Sequence, residues 1–215
     1  MDEKLLLLIN REWTHPALDR VMAAVSCFDV WIPILVIALI VLFVRGSFRL
    51  RAFLLVAGIA VGFNDGIVAK AIKRVADRPR PYQSHSNVRI VDLEKARPRF
   101  LAIAKPVKVK LSQSEIDDVE GRSFPSSHTM NTLAVAITSM AFFGWGASWM
   151  FLVPMIVGYS RIYTGSHWPS DVLTSLFLGA GSTLLLLAFA DPVWRACTSR
   201  FWPRAYHRHP SLFAA

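Results

Sequence analysis

Ser160-Arg161-Ile162-Tyr163-Thr164-Gly165-Ser166-His167-Trp168-Pro169-Ser170-Asp171 is a short polar stretch that closes one apolar run, Ala147 to Tyr163, and opens another, Val172 to Ala190. Pro169 suits the first turn of a helix, where a missing N–H costs nothing, so the second run is expected to start there as a helix. His167 then sits just outside the helix N-terminus. Asp171, four residues on, is expected to reach back to one ring nitrogen of His167, fixing the tautomer and leaving the other nitrogen free to attack. Free N–H groups at a helix start attract anions, so a phosphate-facing histidine suits this position. The bland alternative is a pair of interfacial polar residues at a membrane helix end.

Working outward, long apolar runs dominate the chain. Of 215 residues, 53% are hydrophobic and 18% charged, and the mean hydropathy is +0.40. Soluble proteins carry roughly 25% charge, so these values point to a membrane. The net charge of +9 lies close to apolar spans, which fits anionic lipid or a phosphorylated substrate better than nucleic acid. Five spans are expected: Val30 to Val44, Ala52 to Ile72, Ser123 to Phe143, Ala147 to Tyr163 with a kink at Pro154, and Val172 to Ala190, ended by Asp191-Pro192. Leu5 to Ser26 is too broken by charge to cross and reads as one or two interfacial helices. Its apolar core is also too short for a cleavable signal peptide. The predicted fold is therefore an all-α polytopic membrane helix bundle in a single domain over 1–215. In the second span Asp65 is expected to face the bundle interior with a partner, in a structural role.

With five spans, every polar motif falls on one face. The opposite face has Arg45, Arg49 and Arg51 in a short loop and Arg195, Arg200, Arg204 and Arg208 in the tail. The positive-inside rule makes that face cytoplasmic and the motif face extracytoplasmic. Cys27 and Cys197 fall near opposite faces, so no disulfide is expected between them.

Three clusters meet on the motif face. In Lys73-Arg74-Val75-Ala76-Asp77-Arg78-Pro79-Arg80-Pro81, two Arg-Pro pairs follow a cationic helix end, and Lys73 and Arg80 suit a clamp on phosphoryl oxygens. A basic patch touching lipid headgroups is the alternative. In Phe124-Pro125-Ser126-Ser127-His128, Ser126 is the expected N-cap of the third span, leaving the N–H groups of Ser127 and His128 open to an anion. His128 is placed to protonate a leaving oxygen. The opening stretch adds Arg161 as an oxyanion partner. Nothing in the pattern suggests a metal site, so cationic side chains and helix N-termini are left to stabilise a phosphoryl group.

Lys73 with six residues before Arg80-Pro81, then Pro125-Ser126-Ser127-His128, then Ser160-Arg161 with five residues before His167 and three before Asp171, resembles the type 2 phosphatidic acid phosphatase (PAP2) family. The resemblance implies His167 as nucleophile through a phosphohistidine, Asp171 as its orienting partner and His128 as general acid. It implies that Lys73, Arg80, Ser126, Ser127 and Arg161 bind phosphate and that no metal or other cofactor is needed. Ser127 departs from the glycine most frequent at that position. The implied activity is a phosphatase in a bacterial inner membrane. Its lipid substrate is undecaprenyl diphosphate, lipid A 1-phosphate, phosphatidylglycerol phosphate or phosphatidic acid. A lipid phosphotransferase and a non-catalytic lipid-binding or transport protein are the alternatives; a vanadium haloperoxidase is disfavoured by the spans. Oligomeric state is left open. The insert at about 82–122 is expected to lie on the membrane surface or cap the site, or else to be a solvated loop.

Overall fold

The computed structural model describes residues 1–113 and 122–213. Two short helices come first, α1 (Asp2–Leu7) and α2 (Pro16–Ser26). His15 caps α2 by accepting from the Ala17 N–H (3.2 Å), with Pro16 at its first position. The first long helix, α3 (Phe28–Arg45), buries only Val30 and exposes its remaining apolar side chains, as a lipid-facing helix does. Ser47 caps α4 (Phe48–Phe63), which passes through a π-turn at Asn64–Ala69 into α5 (Lys70–Ala76). Asp77, in the left-handed conformation (φ 35°), ends α5.

The π-turn changes which polar residue faces inward. Asp65 is exposed and in no ion pair among the described residues, contrary to its expected partnered interior position. Asn64 is the buried residue, donating to Thr183 Oγ1 (3.1 Å) and accepting from Ser182 Oγ across the bundle.

Past the short α6 (Pro81–Ser84), the 82–122 insert holds a two-stranded antiparallel sheet, among the described residues the one departure from an all-α chain. Strand β1 (Arg89–Leu93) pairs with β2 (Val107–Leu111), with Val91 opposite Val109. Residues 114–121 of the insert lie outside the described residues.

Helix α7 (Ser127–Phe143) runs away from the site end and stops at Gly144 (φ 66°). A 3-10 segment, Gly144–Phe151, then leads into α8 (Leu152–Tyr163), which packs back along α7. Pro154 falls in the first turn of α8, where no helical N–H bond is lost. The last long helix, α9 (Pro169–Phe201), does not end at Asp191-Pro192 as expected but continues through it. The tail explains why. α10 (Pro203–Arg208) folds back on α9, Trp194 Nε1 donates to His209 O (2.9 Å), and the Asp191 carboxylate accepts from Arg195, Ser211 and Leu212. Tertiary bonds on both sides of Pro192 thus offset the one backbone bond it lacks.

Four helical stretches are long and apolar enough to cross a membrane: Phe28–Arg45, Phe48–Ser84, Ser127–Tyr163 and Pro169–Phe201. Because the third folds back at Gly144, the chain makes the five passes expected. Two apolar cores form at opposite ends of the bundle. One joins Leu6 and Met22 of the N-terminal helices, Val91 and Leu93 of β1, and Tyr163, Trp168 and Val172 around the opening stretch. The other joins Ala52, Val56, Phe142 and Leu187 to Leu212 of the tail.

Candidate active site

The Thr164–Trp168 loop is held from below and above. Below it, the Arg161 carbonyl at the end of α8 accepts from the N–H groups of both Ser166 (3.0 Å) and His167 (3.1 Å). Above it lies β1. Gly165 sits at φ 73°, and a Cβ there would stand 2.6 Å from the Arg89 carbonyl oxygen, so only glycine lets the strand approach this closely. A buried network locks strand to loop. The Asn10 amide donates to Tyr163 O (2.7 Å) and Arg89 O (2.9 Å) and accepts from Arg89 N (2.7 Å). Arg89 Nη2 donates to both oxygens of Asp19 (2.9 and 2.7 Å), whose carboxylate also accepts from the Tyr163 hydroxyl (2.6 Å). The first strand of the insert is therefore packed over the loop.

His167 is 3% exposed, with Pro169 opening α9 behind it as expected. Burial, with the charges of Arg161 and Arg80 next, pushes its imidazole well below the usual histidine range, so the ring is neutral at pH 7. Asp171 does not hold that ring in the expected way. Its Oδ2 is 3.9 Å from His167 Nδ1, beyond hydrogen-bond range, and Nδ1 has no hydrogen-bond partner among the described residues. Instead Asp171 acts as a helix cap: Oδ2 accepts from Trp168 N (3.0 Å) and the Ser123 hydroxyl, while Oδ1 accepts from Arg78 Nη1 (2.6 Å).

A cavity of about 400 Å³ adjoins the loop, lined by Arg80, His128, Arg161 and Ser166 together with Tyr82, Asp92 and the α2–α3 junction. Arg161 is almost wholly buried; Nη1 donates to Ser26 O (3.1 Å) and Ser26 Oγ (2.5 Å), while Nε has no partner among the described residues. Lys73 donates to Ser127 Oγ (2.8 Å), so the serine replacing the usual glycine is tied to the cationic cluster. Ser126 occupies the N-cap position of α7 without capping it through its side chain. It is fully buried: its N–H donates to Ser175 Oγ (2.8 Å), and its Oγ accepts from Thr129 (3.0 Å). The fold thus gathers Arg80, His128 and Arg161 around one cavity with Ser166 of the loop; Lys73 lines a separate hollow with Asp65 and Arg122 while reaching Ser127, and His167 and the Ser126 side chain lie outside the cavity lining.

The family model described as PAP2 superfamily matches residues 49–195, most of the chain. The chain belongs to the PAP2 superfamily. Among curated PAP2-like relatives, undecaprenyl-diphosphatase BcrC of Bacillus subtilis is 27% identical over 178 residues, covering 82% of this chain and 77% of that protein. The putative undecaprenyl-diphosphatase YbjG of Escherichia coli is 28% identical over 93 residues, 43% of this chain and 45% of that one. The PAP2 fold is matched by the crystal structure of Aquifex aeolicus LpxE, with TM-score 0.60 and 22% identity over 87% of this chain and 94% of the other. The transmembrane PAP2 type phosphatidylglycerolphosphate phosphatase of Bacillus subtilis matches at TM-score 0.51 and 21% identity, covering 86% and 81%.

Arg78, Ser123 and Ser175 are the site neighbours that sequence reasoning passed over. Arg78 carried a signal, because it heads the first of the two Arg-Pro pairs, but only the second was assigned a role. Ser123 and Ser175 carried none beyond lying near motifs.

Proposed function

We propose that this protein is an integral membrane phosphatase, a single domain over 1–215, that removes phosphate from a lipid phosphate or diphosphate. The observation that carries the reading is the single cavity shared by Arg80, His128 and Arg161 beside a neutral, buried His167. In this reading Nε2 of His167 attacks phosphorus and the bond to the lipid oxygen breaks, with His128 supplying a proton to the departing oxygen. Lys73, Arg80, Arg161 and the N–H groups at the start of α7 hold the phosphoryl oxygens, with Ser126 and Ser127 at that helix start. Water then cleaves the phosphorus–nitrogen bond, releasing phosphate and restoring His167. Asp171 receives the Nδ1 proton interaction as the ring becomes cationic.

The site faces the extracytoplasmic side, supported by Arg45, Arg49, Arg51 and the basic tail at the other end of the bundle. Two curated relatives are named as undecaprenyl-diphosphatases, so a polyprenyl diphosphate is the first substrate to test. Phosphate release from undecaprenyl diphosphate, lipid A 1-phosphate, phosphatidylglycerol phosphate and phosphatidic acid in mixed micelles identifies the substrate. His167→Ala and His128→Ala are expected to lower the best rate by at least about 10³-fold, with EDTA having little effect. A fully active His167→Ala protein overturns the mechanism.

A further inference from the structure

Asp171 is the orienting partner of His167 in the reading above, yet its strongest contacts point away from the histidine. Oδ1 is taken by Arg78 Nη1 at 2.6 Å, an ion pair whose carboxylate is completely buried. Oδ2 accepts from the Ser123 hydroxyl and Trp168 N–H, and it is the oxygen nearer His167 Nδ1. Among the described residues, Nδ1 is a buried nitrogen without a hydrogen-bond partner.

Arg78 is held as firmly as it holds. Nη1 also donates to Ser170 Oγ (2.8 Å), and Nη2 donates to Asp2 Oδ2 (2.8 Å). Asp2 in turn accepts from Ser170 N (2.9 Å) and Ser170 Oγ (2.5 Å), closing a ring over the first turn of α9. The guanidinium carbon lies 5.3 Å from the centre of the Trp168 ring, whose Nε1 donates to Pro79 O (3.0 Å). The Arg78 carbonyl accepts from Ser123 N (2.8 Å), the residue whose hydroxyl reaches Asp171. Every one of these bonds ends on residues that bracket His167 or on the two segments facing it.

We infer that Arg78 is the positioning residue of the site: it grips Asp171 by Oδ1 so that Oδ2 stays turned toward His167. The inference rests on the proposed roles of His167 and Asp171. When the His167 ring gains positive charge on attack, its Nδ1–H needs an acceptor, and a closure of about 1 Å brings Oδ2 within hydrogen-bond range. A carboxylate held at Oδ1 by one guanidinium N–H and at Oδ2 by the Ser123 hydroxyl and the Trp168 N–H makes that short move without rotating, and the other arm of the guanidinium, on Asp2, keeps the first in place. Arg78 also places a positive charge beside a carboxylate that would otherwise be buried alone. The fork itself is braced by Asp2, so the first turn of the chain contributes to the geometry of a site more than 160 residues later in sequence.

The test is a double-mutant cycle on the purified full chain, read with the best lipid substrate of the panel. Arg78→Gln is expected to lower kcat about 10²-fold, with KM changed less than about threefold, as misplacement of a reacting group by about 1 Å does. Arg78→Lys keeps the charge without the fork and is expected to recover part of that loss. Asp2→Asn, which leaves the Arg78–Asp171 pair in place, is expected to cost less than about tenfold. In an Asp171→Asn background Arg78→Gln is expected to add almost nothing, since the two act as one unit. Full activity of Arg78→Gln, or a full multiplicative loss in the Asp171→Asn background, overturns the inference. An inactive His167→Ala control alongside an active Arg78→Gln sinks this inference alone, whereas an active His167→Ala sinks the mechanism beneath it. If Arg78→Gln does not fold, the Asp2→Asn and Arg78→Lys arms decide: wild-type kcat in both overturns the inference.

Discussion

At the site end of the bundle the buried side chains include Asn10, Asp19, Ser123, Arg161, His167 and Asp171. At the other end Phe142, Leu187 and Leu212 are buried, and Phe48 stacks on His209 (3.8 Å between ring centres) and leans on Trp194 (5.4 Å). The far end is held mainly by contact area, with the partly buried Trp194 and Asp191 bonds to the tail beside it, and contact area tolerates substitution so long as volume is kept. The site end adds to its apolar core a set of buried directed bonds, where removing one partner strands a charge or a donor in low dielectric. The difference predicts that mutations at the two ends divide differently between activity and stability.

After the loss of His167, His128 or Arg78, the largest effect is expected from Gly165→Ala. The new methyl meets the Arg89 carbonyl, and the backbone must leave a positive φ, at a cost of about 1–3 kcal/mol. Because the strain falls on the loop carrying His167, phosphate release is expected to drop at least about tenfold, more than the melting temperature alone would explain. Equal and small losses in both would place the loop outside the machinery.

A smaller effect follows from the neutral His167. Its folded pKa lies below the unfolded value near 6.5, so below that pH the unfolded chain binds more protons and stability is lost as pH falls. His167→Asn removes this loss. Detergent-solubilised wild type is expected to lose unfolding free energy more steeply than His167→Asn between pH 6.5 and 5, by at most about 1.4 kcal/mol per pH unit, read from denaturant or thermal unfolding at each pH. Parallel curves would mean that the ring is not held neutral.

The smallest effect on activity belongs to the far end. Trp194→Phe deletes the bond to the His209 carbonyl but keeps most of the aromatic packing. A stability loss of about 1 kcal/mol is expected in thermal unfolding, with kcat/KM within about twofold of wild type. A large fall in kcat/KM would erase the distinction between the two ends.

Elements governed by local chemistry were legible. The apolar runs marked all five passes, Pro169 marked the start of α9, and the broken pattern of Leu5 to Ser26 marked two short helices. Where a neighbour distant in sequence supplies the energy, the reading failed. Asp191-Pro192 looked like a stop because the tail bonds that carry α9 past it are not visible locally. Asn64 and Asp65 are adjacent, and a π-turn, which no simple period anticipates, decided which one is buried. For the insert, the sequence left a surface segment, a cap and a solvated loop open because its strands are short, and the burial of β1 comes from α2 and the site loop rather than from its own composition.

The site shows the same division. The residue types and spacings of Lys73, Arg80, His128, Arg161, His167 and Asp171 announced phosphoryl chemistry, because each bears a charge or nucleophile unusual beside an apolar span. The sequence by itself therefore determined the membrane passes, the face on which the motifs gather and the family of chemistry. Only the tertiary structure decided that Asp171 is gripped by Arg78 and Ser123, that the Ser126 side chain turns inward, and that β1 closes over Gly165. Those outcomes depend on which donor reaches a buried acceptor first, and that depends on packing between segments far apart in the chain.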